Sequence, residues 1–475
     1  MPRQPLLTIL AACILSAGAH AATPGNSPAA LDKIRDTALQ SDWAYERLAD
    51  MTDLIGPRLS GSIGNAAAVT QVAEAMRKLG AKVTLQPVKV PHWVRGAESA
   101  ELVEYRGRPA GISQKIVLTA LGGSGATPAA GLTGQVVVVR NMDELKARAA
   151  EVKGRIVLFD VRFDQGMAER GLAGQAYGQV TRYRGLGTRL AAEMGAQAVL
   201  VSSAGGANFR LPHTGSSGLQ EGARIPAAAV AVEDSLLMAR LAARGPVTMK
   251  LVLTPQILPD ADSFNVIADW PGTDKADEIV IVSGHLDSWD LATGANDDAA
   301  GIASAMGVLE TLKKLDFTPR RTIRMIAWAN EENGARGAQS YLEANKANTA
   351  KHFAAIETDG GTGRPFGVRS SAPASGNEAL AELQKALEPI GAAALTRSDS
   401  LSTGDLRGLE LAGVPSFTPL SDNSDYFNYH HTAADTLDKV DPQNLKRHVA
   451  VIASLTWFLA NMEQPIGRWT APPKS

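Results

Sequence analysis

Four short runs in the second half of this chain combine imidazole and carboxylate groups in a way that could hold divalent metal. They are Gly284-His285-Leu286-Asp287, Gly294-Ala295-Asn296-Asp297-Asp298, Asn330-Glu331-Glu332 and Glu357-Thr358-Asp359-Gly360, and the pair His430-His431 follows later. Imidazole and carboxylate ligands without thiolate favour zinc or a similar first-row ion. Two ions about 3.5–4 Å apart can share one bridging carboxylate and activate a water between them. Asp297, at a helix start and central in the order, is the best bridge. Glu331 and Glu332 leave a strand end in diverging directions, so one can ligate while the other acts as base. Asp287, two residues beyond His285 in extended chain, points the same way and can orient its imidazole. Each run alone has an ordinary explanation as a hydrogen-bonded pair, a helix cap or a solvated face. Gathered at one place they would repel one another unless a cation were bound.

The elements that deliver these runs are short apolar strands. Glu278–Ser283, Thr322–Ala329 and Phe353–Ile356 each end immediately before one of them. In open parallel sheets ligands bind beyond the carboxyl ends of strands, so three consecutive strand ends bring His and carboxylates to one sheet edge. Helix Ala299–Leu315, with Ile302, Met306, Leu309 and Leu312 on one face, follows the Asp297 run on the same side. A strand at Val414–Leu420 and a closing helix at Leu445–Met462 complete the alternation. The pattern predicts an α/β fold with a mainly parallel mixed sheet flanked by helices. Upstream, Leu31–Leu54 and Ala66–Leu79 have helical spacing, the second closed by Gly80, and a strand covers Lys82–Val90.

Residues 111–259 differ in texture: short apolar strands between Gly-rich loops, with helical patterns at Arg189–Met194 and Ser235–Arg244, read as a small separate α/β or β-rich unit. Its one histidine, His213, stands apart from any carboxylate cluster, and the unit reads as scaffold or lid. The organisation expected is a catalytic domain of residues 30–110 and 260–465 interrupted by an insert of residues 111–259.

Composition bounds the function. The 475 residues carry 47 Lys+Arg and 49 Asp+Glu, a net charge of -2, which argues against nucleic acid or an anionic membrane as partner. A single cysteine excludes an intramolecular disulfide framework and any Cys-rich metal site. Arg3, the apolar run Leu6–Leu15 and Ala19-His20-Ala21 make residues 1–21 a secretory signal peptide, so export to the periplasm or medium is expected. The lipoprotein-like box ending at Cys13 ranks lower, because Ile14 and Leu15 continue the apolar run. No later stretch is long and apolar enough for a stable membrane span. There is no His-Glu-x-x-His helix, no P-loop and no complete Gly-x-Ser-x-Gly elbow.

Gly284-His285-Leu286-Asp287-Ser288-Trp289-Asp290 resembles the metal-binding signature of the zinc-dependent exopeptidase family that contains carboxypeptidase Q, glutamate carboxypeptidase II and bacterial secreted aminopeptidases. Asp297-Asp298, Glu331-Glu332, Asp359 and His431-Thr432-Ala433-Ala434-Asp435-Thr436 follow in that family's order, and Gly56-Pro57-Arg58-Leu59-Ser60-Gly61-Ser62 is similar to its N-terminal loop. The Asp-Asp bridge and the His-His pair point to the carboxypeptidase Q branch. The insert resembles a protease-associated domain. The resemblance implies two Zn2+ per chain, one held by His285 and Asp359, the other by Glu332 and His431, with Asp297 bridging. It implies Glu331 as the general base that takes a proton from water and returns it to the leaving amine. Asp405 matches an acidic position lining the site, and His430 stands where several relatives have a Tyr that stabilises the oxyanion. The activity implied is hydrolysis of short peptides, as an aminopeptidase or dipeptidase, and the resemblance allows a homodimer. Two alternatives share the scaffold: a single-zinc acyltransferase of glutaminyl cyclase type, and a non-catalytic receptor-like interaction protein.

Overall fold

The apolar runs that end at the chemical residues are strands of one sheet. The computed structural model describes residues 24–206, 208–219, 224–402 and 404–470, so the signal-peptide reading of residues 1–21 and Cys13 lies outside the described residues. The sheet has eight strands in the order Lys82–Val94, Gln256–Trp270, Arg321–Trp328, Lys275–His285, His352–Glu357, Ser416–Ser421, Pro365–Ser370, Ala394–Arg397. The middle four, from Arg321–Trp328 to Ser416–Ser421, pair in parallel. The flanking strands add antiparallel pairs, so the sheet is mixed with a parallel centre.

Alternation along the central strand explains why both faces are covered. Val280 and Val282 enter one core together with Ile302, Met306 and Leu309 of helix Ala300–Leu315 and Val451 and Leu455 of helix Pro442–Asn461. Ile281 points the other way, into a smaller core with Trp328, Tyr341 and Leu409. A strand buried on both faces reads as a continuous apolar run, which is how these strands appear in the sequence. The helical stretch expected at Leu31–Leu54 is two helices, Pro28–Leu39 and Trp43–Leu54. Both pack into the same core, so the apolar spacing continues across the break. Helix Ile63–Leu79 is capped by Ser62 Oγ, which accepts the Asn65 N–H at 3.0 Å, and ends at Gly80 with φ 102°.

The insert forms a second eight-stranded sheet, ordered Gln114–Ile116, Glu98–Tyr105, Val247–Leu253, Leu132–Val139, Ile156–Phe159, Ala198–Ser202, Ala227–Val230, Leu118–Ala120. The boundary expected near residue 110 is therefore corrected. The chain leaves the first sheet after Val94 and returns at Gln256, because Glu98–Tyr105 pairs with Val247–Leu253 and buries Ala100 and Leu102 in the insert's core. Local sequence carries no mark of which sheet a strand joins. The helical patterns expected in the insert form helices Thr188–Glu193 and Val232–Ala242. Met238 and Leu241 of the second cover one face of the insert's sheet, and Val180 of helix Ala173–Arg182 covers the other. Among the described residues no helix is long and apolar enough to cross a membrane.

Candidate metal centre

Six of the residues singled out above converge beyond the carboxyl ends of the parallel strands. His285 closes the central strand, Asp359 follows its neighbour His352–Glu357, and Glu331 and Glu332 follow Arg321–Trp328. Asp297 lies in the turn that opens helix Ala300–Leu315, and His431 follows a short helix, Tyr426–Tyr429. The ligand atoms of all but Glu331 form two groups, His285/Asp297/Asp359 and Asp297/Glu332/His431. Asp297 belongs to both. Its Oδ1 is 3.1 Å from His285 Nε2 and its Oδ2 is 3.1 Å from His431 Nε2. His285 Nε2 is 3.7 Å from Asp359 Oδ1, and His431 Nε2 is 3.0 Å from Glu332 Oε2. Among the described residues no hydrogen bond reaches Asp297 Oδ2 or Glu332 Oε1, although both atoms are buried. Buried carboxylate oxygens without donors, converging with imidazole nitrogens, are what a cation site requires.

The electrostatics agree. Burial pushes the carboxyls of Glu331 and Asp298 well above the usual range and that of Glu332 up to about 7, with neighbouring carboxylates adding to the effect. Asp297 alone is held well below that range: burial opposes its ionisation, but His430, His285 and His431 outweigh it.

Glu331 diverges from Glu332 as the sequence implied. Its side chain joins neither ligand group, and among the described residues its carboxyl accepts no hydrogen bond. The backbone places it: Asn330, at φ 68°, turns the chain, and the Glu331 N–H donates to Asp287 Oδ1 at 3.0 Å. This modifies the part expected of Asp287. The His285 imidazole is oriented by the Asp287 backbone carbonyl, which accepts from Nδ1 at 2.9 Å, while the Asp287 carboxylate is 3.9 Å from that nitrogen. That carboxylate instead accepts from Ser60 Oγ at 2.8 Å and holds the Glu331 backbone.

Asp405 is buried beside Glu357, whose Oε1 accepts the Asp405 N–H at 2.9 Å, and neither Asp405 oxygen has a hydrogen-bond partner. Burial, with Glu357 and Glu331 nearby, pushes its carboxyl well above the usual range, and Glu357 rises to about 8 for the same first reason. His430 stacks on His431 with ring centroids 3.7 Å apart and places Nε2 3.2 Å from Asp297 Oδ2.

Several residues that hold the centre carried no assigned role in the sequence reading. Arg58 is fully buried and donates to the carbonyls of Leu286, Thr293 and Gly294, pinning the loop between His285 and Asp297. Burial lowers its guanidinium to about 10. Asp435 accepts the N–H groups of Asn296 at 2.8 Å and Asp297 at 3.1 Å. Both lie in quoted motifs, so motif membership was the available signal. Asp298 Oδ2 accepts the His285 N–H at 3.0 Å and fills a niche between Gly284 and Gly301. A Cβ on Gly301 would sit 2.1 Å from Asp298 Oδ1.

The insert is part of this centre. The Thr214 carbonyl accepts from His431 Nδ1 at 3.2 Å, and the Thr214 N–H donates to the His431 carbonyl at 2.9 Å. His213, expected to be scaffold, places its Nε2 3.0 Å from His430 Nδ1. In the other direction Trp289 sinks into the insert's core, and Asp290 takes both ends of the Arg95 guanidinium at 2.8 and 2.7 Å. Arg95 also binds Glu98 Oε1 at 2.7 Å and the Ala120 carbonyl at 2.7 Å.

This geometry has counterparts among known proteins. Residues 265–456 match the model of peptidase family M28. Human carboxypeptidase Q is 35% identical over 429 residues, covering 90% of this chain and 87% of that protein. The chain belongs to peptidase family M28. It is thus a metallopeptidase, as the sequence implied. The aminopeptidase YwaD of Bacillus subtilis is 26% identical over 72% of this chain and 67% of its own length. The crystal structure of a peptidase M28 precursor from Shewanella amazonensis superposes with a TM-score of 0.87 at 34% identity, covering 94% of this chain and 99% of that one. The zinc aminopeptidase of Bacillus subtilis, at 20% identity and a TM-score of 0.63, shares the fold.

Proposed function

We propose that this chain is an exported di-zinc exopeptidase that hydrolyses short peptides, as an aminopeptidase or dipeptidase. One observation carries the reading: Asp297 offers one carboxylate oxygen to each of two ligand groups. His285 and Asp359 would hold one zinc ion, Glu332 and His431 the other. Bound there, the ions would polarise the scissile carbonyl and make water acidic enough to be deprotonated near neutral pH.

The protein's own groups supply the rest. The Glu331 carboxyl, free of hydrogen bonds and held by its backbone to Asp287, takes the proton from the attacking water and returns it to the leaving amine nitrogen. Burial raises its proton affinity, which suits a group that must first accept a proton and then release it. Arg58 and Asp435 hold the loops that carry His285 and Asp297 still, so little reorganisation accompanies the reaction. Asp405 and His430 line the site as substrate contacts. The two rival readings fit less well. A one-zinc acyltransferase leaves the second complete ligand group without a purpose, and a non-catalytic relative needs neither group.

The test combines metal analysis with a panel of free, N-blocked and C-blocked peptides. The expected result is about two zinc ions per chain, activity lost to a strong chelator and restored by zinc, and cleavage only of peptides with a free amino terminus. Activity that survives complete metal removal would sink the reading. Size-exclusion chromatography with light scattering decides whether the working form is a homodimer.

A further inference from the structure

We propose that Tyr426 is a catalytic residue of this centre: its phenol hydroxyl donates a hydrogen bond to the oxygen of the scissile carbonyl as negative charge gathers there. This assignment rests on the reading of the centre as catalytic and adds to it a group not yet given a role.

Several contacts place the ring. Tyr426 opens the short helix Tyr426–Tyr429, one turn ahead of the His430-His431 pair, and its carbonyl accepts the His430 N–H at 3.0 Å. The phenol packs on the His430 imidazole at 4.9 Å between ring centroids, and edge-on against Phe427 at 5.0 Å. It also lies against Gly361, two residues beyond Asp359: a Cβ there would meet Tyr426 Cδ2 at 2.5 Å and Cε2 at 2.9 Å. Gly361 has φ 72°, so a residue without a side chain both makes this turn and admits the ring. The phenol thus bridges the loop that delivers Asp359 to one ligand group and the loop that delivers His431 to the other.

The hydroxyl at the end of that ring is unengaged. Among the described residues it has no hydrogen-bond partner, although the side chain is half-buried. Its surroundings are those of the centre: after burial, the carboxylates of Asp297, Asp359, Asp435 and Asp298 push it well above the ordinary phenol range. A phenol is protonated at neutral pH even without such neighbours, so the group is a neutral donor. His430 beside it is placed differently. Its Nε2 stands 3.2 Å from Asp297 Oδ2 and its Nδ1 3.0 Å from His213 Nε2, so both nitrogens face protein groups. When water adds to the carbonyl carbon, the π pair moves onto the carbonyl oxygen while Glu331 takes the water's proton. A hydrogen bond from Tyr426 is stronger to that anion than to the neutral carbonyl, so it lowers the barrier rather than tightening substrate binding. As the amine leaves with the proton returned by Glu331, the pair re-forms the carbonyl, and Tyr426 keeps its own proton throughout.

The test is Tyr426→Phe, which keeps the ring on His430 and Gly361 and removes only the hydroxyl. On unblocked dipeptides kcat should fall roughly 10²-fold with KM nearly unchanged, at unaltered zinc content and melting temperature. Calorimetry gives a readout apart from turnover. A phosphinic dipeptide, whose tetrahedral phosphorus carries an anionic oxygen, should bind Tyr426→Phe roughly 10²-fold more weakly than wild type. A free amino acid product should bind both proteins alike. Unchanged kcat, a rise in KM alone, or equal weakening of both ligands would overturn the assignment. So would a loss of zinc or of melting temperature in Tyr426→Phe, which would make the hydroxyl structural. A wild-type protein without chelator-sensitive peptidase activity would defeat the reading of the centre itself, whereas an active wild type with an unimpaired Tyr426→Phe defeats only the role of Tyr426.

Discussion

The two sheets of this molecule serve one site in opposite ways. The first sheet supplies ligands from consecutive strand ends, each a few residues past an apolar run, so chemistry and element are adjacent in the chain. The insert supplies a wall: the Thr214 carbonyl on His431, His213 on His430, and a core into which Trp289 is sunk. His213 and Thr214 themselves lie in a loop of the insert, not at a strand end. The difference teaches that a unit that supplies none of the proposed ligands can still help orient the groups that act.

The comparison can be broken most decisively on the ligand side. Glu331→Gln keeps the shape and removes the base, so kcat should fall by roughly 10²–10⁴ with zinc content unchanged by elemental analysis. Wild-type turnover would mean that another group carries the proton. On the insert side, Arg95→Ala strips Asp290 and Glu98 of a shared, largely buried partner. It should destabilise the fold by about 3 kcal/mol, read as the midpoint of urea unfolding, and weaken zinc retention in the same preparation. A destabilised protein that holds zinc as tightly as wild type would show that the wall and the centre are uncoupled.

A smaller effect sharpens the same point. A Cβ on Gly122 would lie 2.1 Å from the Trp289 ring, so Gly122→Ala should cost about 1–3 kcal/mol and disturb His431, whose ring is 5.8 Å from that of Trp289. The expected sign is a loss of kcat/KM in a variant altered only in the insert. The last effect, spread over about two pH units, belongs to the first sheet's side. Burial lowers His448 and His352 to about 4 in the folded state, against about 6.5 unfolded. Their contribution is therefore fully present above pH 6.5 and is lost as pH falls from there towards 4. The slope is at most about 1.4 kcal/mol per pH unit for each ring. Melting temperatures between pH 7 and 4.5 should fall less steeply in His448→Gln than in wild type.

What was legible follows from how each feature is encoded. The strands at Lys275–His285, Arg321–Trp328 and His352–Glu357 show as apolar runs because both their faces are buried, and the ligands stand out because such groups recur at consecutive strand ends, where together they would repel without a cation. The boundary at Val94 was missed because a strand's partner is chosen by long-range packing. His213 was set aside because its neighbours His430 and His431 are more than 200 positions away in the chain.

The sequence by itself therefore determined the ligand types, their order and the strands that present them, since these depend on local hydrophobic pattern and side-chain chemistry. The family membership was also contained in it. Only the tertiary structure decided that Asp287 holds the Glu331 backbone through its side chain and His285 through its carbonyl. Only the tertiary structure, too, made the insert a wall of the site. Hydrogen bonds of this kind join residues brought together by the packing of two sheets, and no local pattern records them.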